Sequence, residues 1–416
     1  MKQIIKHIML LLLPSWGIAQ DSLPVLQLDS ILSRIDKQNI TLQAYGLQAE
    51  SYRYRADAAS GWMAPMVGAG TFMTPYSQRK VMGDGDKGNL MFQVEQDIPN
   101  PAKINAKKKY ISSQANIVSG DRNIALNNLR ALAREQYYLW LIAKNKISLL
   151  HENERLMNTM KKIEEVRYPY NRSNLSGIYT ITAKLEENKN MLVMQEGVIQ
   201  RARATLLGLM NEEENLQFDI DTAADVHYVP PQVEDTSEIA ASRKDISQMN
   251  ERIRSMQLNI SSMQMERKPD FRIRFDHMVP LGRTMPSAYS IMGMISIPIA
   301  PWASKMYKSE VKAMEYSIKS MEKERQGMLQ ETKGMLNGMQ REIVSMHERV
   351  ISTEDKIIPA LKKALDANYL LYQENKISLR EVLDSWEALN MMQMNLLDEK
   401  LEHFEMIVAY EKELYR

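Results

Sequence analysis

Between residues 269 and 282 the chain reads PDFRIRFDHMVPLG, and Phe271, Ile273 and Phe275 alternate with Arg272, Arg274 and Asp276. An apolar residue at every second position predicts a strand with one apolar and one charged face. Other stretches carry the same signal. Residues 63–75 form a glycine-rich strand candidate. Residues 89–98 place Leu90, Phe92 and Val94 on one face and Met91, Gln93 and Glu95 on the other. Residues 287–298 set Tyr289, Ile291, Ile295 and Ile297 against Ser290, Met292, Met294 and Ser296.

Elsewhere the period is helical. Ile111, Val118, Ala125, Leu132 and Leu139 recur every seven residues, and Ile142, Leu149, Leu156 and Ile163 continue after an offset of three. Met314, Met321, Met328 and Met335 repeat the step in a second long segment. Such heptads predict long supercoiled helices with a packed seam. The pattern predicts helices over residues 28–61, 102–166, 177–210, 238–267 and 304–369, and a last one running to the C-terminus. Gly120, Gly327, Gly334 and Gly338 weaken the two longest helices, at about 1 kcal/mol each against alanine. Close helix approach and a solvent-facing position are equal readings of these glycines.

The elements fall into two copies of one plan, helix–strand–strand–helix. Residues 20–210 form the first copy and 236–416 the second, joined by an acidic equatorial connector, 211–235, that contains Pro230-Pro231. YNRSNLS at Tyr170 and YQENKIS at Tyr372 lie 202 residues apart, as do Lys103 and Lys305. These two sequences break the helices at 167–176 and 370–378. Each long arm is thus about 67 residues, roughly 100 Å at ~1.5 Å per residue.

Composition narrows the setting. Residues 1–19 carry Lys2 and Lys6, an apolar run and Gly17-Ile18-Ala19, the plan of a secretory signal peptide. No later run approaches the ~20 apolar residues of a membrane-spanning helix. With 53 basic and 52 acidic residues the chain has no basic field for nucleic acid. The absence of cysteine removes disulfides, thiolate metal sites and a lipid-anchored cysteine. Any membrane the exported chain spans is therefore crossed by strands. Four strands cannot close a barrel, and an open edge in lipid leaves backbone groups unpaired at several kcal/mol each. Either the sheet is water-soluble, or three chains pool twelve strands. In the second case Leu90, Phe92, Val94, Phe271, Ile273, Phe275, Ile291 and Ile295 meet lipid, while Glu95, Arg272, Arg274 and Asp276 line a water-filled lumen. Trp62 and Trp302, at mirrored corners, suit an interfacial girdle or ordinary packing.

The chain resembles the TolC-type outer membrane efflux proteins. The resemblance covers nearly all of the mature chain. It is carried by the duplicated order, by the corners QDIPNPAK (96–103) and ISIPIAPWASK (295–305), and by the tip YQENKISLREVLDSWEAL (372–389). In the family's tip pattern, Tyr-x-x-Gly-x-(Ile/Val)-Ser followed by an acid and two aliphatic residues, Asn375 stands for the glycine, Glu381 for the acid, and Val382 and Leu383 for the pair. At the first tip Ser173 replaces the glycine and Tyr179 the acid. The resemblance implies a mainly α fold with a small β part. Three chains would form a 12-stranded outer membrane barrel, four strands from each, on a long periplasmic α-helical barrel. It implies a homotrimer in the outer membrane of a Gram-negative bacterium, in contact with lipid, with its tunnel in the periplasm. The tip would meet a periplasmic adaptor and open to cargo from an inner membrane pump. Tip candidates are Tyr170, Asn171, Ser173, Leu175, Ser176, Tyr372, Asn375, Ile377, Ser378 and Asp384.

The sequence carries no phosphate-binding loop, nucleophile elbow or His-Glu-x-x-His motif, so neither catalysis nor a cofactor is expected. Glu399 and His403 stand four apart on a helix and read as coincidence. Methionine reaches 31 residues, which leaves two readings. It fills irregular helix seams, or thioethers such as Met292 and Met294 contact copper or silver on the lumen side. Asp384 reads as a like-charge ring at the second tip or as a solvated helix residue. The expected function is a passive exit duct for small molecules or metal ions. The alternatives are an exit duct for type I protein secretion and, in a different class, a periplasmic coiled-coil adaptor or scaffold.

Overall fold

The computed structural model describes residues 23–76, 83–170, 173–222, 236–298 and 300–415. The predicted signal peptide, Asn171 of the first tip and residues 223–235 of the connector lie outside them. Among the described residues the chain is mainly helical. The helices are α1 (Leu28–Gln38), α2 (Ile40–Ala58), α3 (Pro101–Arg167), α4 (Leu175–Met210), α5 (Thr236–Ser242), α6 (Lys244–Met265), α7 (Pro301–Ser352), α8 (Ile358–Gln373) and α9 (Leu379–Leu414). The strands are β1 (Val25–Leu26), β2 (Met66–Phe72), β3 (Asn89–Ile98), β4 (Asp219–Ile220), β5 (Phe271–Pro280) and β6 (Ala288–Ile295).

The first helix of each copy is broken, where the periodicity predicts one continuous element. Asn39 takes an extended backbone between α1 and α2, its side chain accepts from the Leu42 amide, and its Nδ2 donates to the Leu209 carbonyl at 2.9 Å. A short polar side chain that caps the next turn ends the helix before it, although the apolar period runs on. In the second copy Arg243 holds the same kind of break between α5 and α6, and its guanidinium is fixed by Asp245 at 2.6 Å and Glu413 at 2.8 Å. The second arm is also interrupted. A π turn at Thr353–Ile357 separates α7 from α8. Pro359, in the first turn of α8, has no amide proton to give and displaces the helical bond there.

The buried seams meet the expected heptads at Val118 and Ile142 on α3 and at Met314 on α7, and elsewhere lie beside them. On α3 the buried line runs Leu150, Asn153, Met157, Met160, Glu164, while Leu149, Leu156 and Ile163 are half-buried at its margin. On α7 Met314 is 6% exposed, but the run opens until Met335 reaches 39%; Leu336, Ile343, Met346 and Val350 carry the seam instead. Two adjacent stripes of a long helix share one period, so spacing alone does not choose the inner one. The glycines also divide. A Cβ on Gly120 would lie 2.7 Å from Cγ of Gln248 on α6, whereas Gly327, Gly334 and Gly338 face open space.

The largest core joins α1, α3 and α4 around Ile31, Ile35, Tyr137, Trp140, Leu206 and Phe218. The Trp140 and Phe218 rings are 5.2 Å apart, and Tyr137 donates to the Asp221 carbonyl at 3.0 Å. Beside it β1 and β4 pair in parallel. At two residues each, these strands are too short to show an alternation in sequence. The remaining strands form one antiparallel sheet in the order β2-β3-β5-β6, so one hairpin from each copy lies side by side. Its strands are shorter than predicted over 63–75, 269–282 and 287–298. β2 stops where Met73 enters the left-handed region at φ 55°.

Candidate functional site

Three places along the chain concentrate the candidate residues: the sheet, the sheet-to-helix corner and the tip. In the sheet, cross-strand register fixes the faces. Val94 pairs with Phe275 and that with Ile291; Ile98 pairs with Phe271 and that with Ile295. Leu90, Phe92 and Ile273 share this face by alternation. Apart from the half-buried Leu90, the eight residues expected to face lipid are exposed. His277 and Gln96 also lie on it, at the registers of Phe92 and Ile273, which the alternation of apolar residues did not reveal.

The opposite face carries Glu95, Arg274 and Met292 in one row, Asp97, Arg272 and Met294 in the next, and Gln93, Asp276 and Ser290 in a third. Its charges are paired. Arg272 reaches Glu95 at 2.7 Å and Asp97 at 2.6 Å, and Arg274 reaches Asp276 at 2.8 Å. Gln93 donates to Glu95 at 3.2 Å, and Glu95 and Asp276 are buried. Asp97 was the member of this network that the sequence pattern did not single out.

At the corner Asn100 caps α3. Its side chain accepts from the Ala102 amide at 3.0 Å and donates to the Pro269 carbonyl at 3.0 Å, and its amide donates to Asp270 at 3.2 Å. Lys103 binds the other oxygen of Asp270 at 2.7 Å. The two copies are thus fastened to each other at the base of the sheet. A groove of about 640 Å³ opens there, lined by Lys103, Lys107, Asp97, Asp270, Phe271 and Met294 among others.

At the tip Leu175 and Ser176 belong to the first turn of α4 rather than to the break. Asn375 takes the left-handed conformation at φ 59°, which gives the family's glycine a physical reason and asparagine a licence to replace it. The Ser378 amide and hydroxyl both donate to Glu381, and the Ser378 hydroxyl in turn caps α9. Ser173, Ser176, Tyr372, Asn375, Ile377, Ser378 and Asp384 line one cleft of about 570 Å³; Tyr170 and Leu175 are exposed outside it. The centre of the cleft is a pair that sequence reasoning missed. The Tyr372 hydroxyl donates to the buried Glu164 carboxyl. Arg167 stacks on the Tyr372 ring at 4.5 Å and donates to the Tyr372 and Gln373 carbonyls, and Ser173 donates to the Glu164 carbonyl at 2.9 Å. Burial and the Glu164 bond push the Tyr372 hydroxyl well above its ordinary pKa. Glu164 terminates the buried line Met157, Met160, which was the available signal: an acid at a seam position needs a partner. Gly177 lets Leu379 approach, since a Cβ there would lie 2.9 Å from Leu379.

No group of three or more His, Asp or Glu side chains converges on a metal position among the described residues. The Glu399 carboxylate is bound by Arg349 at 2.7 Å and Thr353 at 3.3 Å. Burial and His347, whose ring is 5.3 Å away, lower the His403 pKa. Among the described residues no helix is long and apolar enough to cross a membrane.

No family model matches the sequence, and no curated protein matches it. Solved structures match its fold over nearly the whole chain. The outer-membrane channel OprN is 13% identical over 93% of this chain and 89% of its own, with a TM-score of 0.73. A structure of CusC, concerned with folding and transmembrane channel formation, is 13% identical over 96% and 95%, with a TM-score of 0.73. The open-state MtrE outer membrane channel of Neisseria gonorrhoeae is 15% identical over 93% and 88%, with a TM-score of 0.70. The chain has the TolC-type outer membrane channel fold.

Proposed function

We propose that the protein is the outer membrane channel of a tripartite efflux system, a passive exit duct whose tunnel stands in the periplasm of a Gram-negative bacterium. The observation that carries this reading is the sheet, which is apolar on one face, charged on the other, and open at both β2 and β6. An exposed apolar face with two unpaired edges is stable in neither water nor lipid as a single copy. Three copies pairing β6 of one chain with β2 of the next remove every edge and turn the apolar face to lipid. The eight apolar candidates then meet the hydrocarbon, and Glu95, Arg272, Arg274 and Asp276 line the pore. Exposed Trp62 and Trp302 fall at the base of the barrel, where an aromatic girdle belongs.

The helices support the same assembly. α2, α3, α6 and α7 pack in series in the same order as the strands, which leaves α2 and α7 as outer members. Leu47 and Tyr54 on α2 and Trp302, Met306 and Tyr316 on α7 are exposed there. A neighbouring chain would cover both flanks. The tip cleft is the surface for a periplasmic adaptor, and cargo, small molecules or metal ions, comes from an inner membrane pump. Neither step asks the chain for catalysis.

Membrane fractionation with crosslinking tests the architecture: the protein should enter the outer membrane fraction as a trimer. A cysteine pair placed across Val67 of β2 and Ile291 of β6 should crosslink only between chains. A water-soluble monomer purified without detergent would end this reading. A deletion strain challenged with dyes, detergents, copper and silver tests efflux; unchanged sensitivity to all of them would leave the duct without a cargo.

A further inference from the structure

The methionines of the four-stranded sheet all lie on its charged face. Register places Met66, Met91, Met278, Met292 and Met294 there, among Glu95, Arg272 and Arg274. The apolar face has none among the described residues. Hydrophobicity alone predicts the reverse, because a thioether side chain is at home in hydrocarbon and gains nothing on the wall of a water-filled pore. Seam packing does not account for it either, since Met66 is 53% and Met292 45% exposed.

The spacing suits shared ligation. Met91 stands directly opposite Met278, and such pairs have Cβ atoms about 4.5–5.5 Å apart. Met292 and Met294 follow each other on one face of β6, about 7 Å apart at ~3.3 Å per residue. The surrounding charge is permissive to a cation. Arg272 and Arg274 are each held by carboxylates, and Glu95, Asp97 and Asp276 outnumber them by one.

We propose that this methionine ladder binds soft monovalent cations of the Cu⁺ and Ag⁺ class as they traverse the barrel. The inference rests on the channel reading above and names a class of cargo for it. Thioether sulfur selects soft ions over the hard cations of the medium. As neutral ligands, thioethers bind without releasing a proton and hold an ion loosely, which suits conduction through several weak sites in succession. No bond other than metal–sulfur coordination forms or breaks, and the ion keeps its oxidation state. Met66 lies on one sheet edge and Met292 and Met294 on the other, so closing the trimer would continue the ladder across each seam between chains.

The test uses the full-length protein in detergent and chloride-free silver nitrate. Binding is read by titration calorimetry, and ligation by silver-edge X-ray absorption. A variant with all five ladder methionines changed to leucine is compared with wild type and with a Met321→Leu/Met328→Leu control on α7. Leucine keeps the volume, so folding is preserved, and trimer yield in the outer membrane checks this for each protein. The expected result is a sulfur shell around silver in wild type and control, with affinity about tenfold or more weaker and the shell lost in the ladder variant. Equal silver binding by all three proteins, or silver without sulfur neighbours in wild type, overturns the ladder. If wild type is a trimer and exports dyes while silver binding is unchanged by the substitutions, the ladder alone fails. A wild type that forms no outer membrane trimer overturns the channel reading, and the ladder with it.

Discussion

The two long arms hold equivalent places in the duplicated chain and are constrained unequally. α3 runs unbroken for 67 residues, starts on the Asn100 cap and packs between α2 and α6 near the sheet and against α4 and α9 further down. α7 has 52 residues, starts at Ala300 without a side-chain cap, and gives way to a π turn before α8. Lys103 is tied to Asp270 and Glu266, whereas Lys305, 202 residues later, is exposed. Duplication has kept element order and spacing, but not the distribution of load. One arm is fixed at its start and along its length within the chain, and the other leaves more of its surface exposed.

The sharpest way to break this comparison is through the cores. Trp140→Ala empties the middle of the α1–α3–α4 core and should cost about 3–5 kcal/mol. Met335→Ala, on an exposed side of α7, should stay within about 0.5 kcal/mol. Thermal unfolding of both variants in detergent compares them. Equal losses in a monomeric preparation would show that the second arm is as deeply bound within the chain as the first.

Next in size is the tip, where the two arms meet. Tyr372→Phe removes the hydroxyl that Glu164 accepts from and leaves the ring for Arg167 to stack on. A buried carboxyl deprived of a donor costs about 1–3 kcal/mol. The loss should appear locally, as faster amide hydrogen exchange at the ends of α3 and α8 with exchange in the α1–α3–α4 core unchanged. Unaltered exchange at the tip would mean that Arg167 and Ser173 hold it without the tyrosine.

What the sequence made legible follows from the range of the interactions involved. Alternation at Phe271, Ile273 and Phe275 is local, and it placed the sheet faces; the 202-residue spacing placed both corners and both tips. Asn39 and Arg243 escaped because their partners, Leu209 and Glu413, are about 170 residues away in each case. The Glu164–Tyr372 pair escaped for the same reason, at a separation of 208 residues. Beyond Ile142 the seam of α3 lies one stripe from the predicted one, since Leu149, Leu156 and Ile163 and the buried line from Leu150 to Glu164 differ by one residue in phase. Only contact with α4, α8 and α9 decides between them.

The glycines sharpen the comparison at about the 1 kcal/mol level. Gly334→Ala and Gly327→Ala, in open space on α7, should each stabilise by about 0.5–1 kcal/mol, because alanine loses less backbone freedom. Gly120→Ala should destabilise by about 1 kcal/mol or more, since its Cβ meets Gln248 close to that residue's backbone. The sign difference is the prediction, read from chemical or thermal unfolding. Stabilisation by Gly120→Ala would mean that α3 and α6 are less tightly apposed than the geometry has them.

The smallest effect concerns the helix starts, and it isolates what the cap does. Asn100→Ala removes the side chain that accepts from Ala102 and donates to Pro269, and a lost N-cap costs about 1 kcal/mol. Ala300→Ser supplies a hydroxyl where α7 has none, and should recover a few tenths up to about 1 kcal/mol. If both caps acted only on their own helices, the two changes together would sum. Asn100 also fastens α3 to residues 269 and 270 of the other copy, and Asp270 exchanges hydrogen bonds with Ser296 of the strand end that leads into α7. The Asn100 loss should therefore loosen the base of β6 as well, and a serine at 300 should compensate for less than its own gain in the single variant. A double-mutant cycle with strict additivity would show that the corner is two independent helix ends rather than one joint.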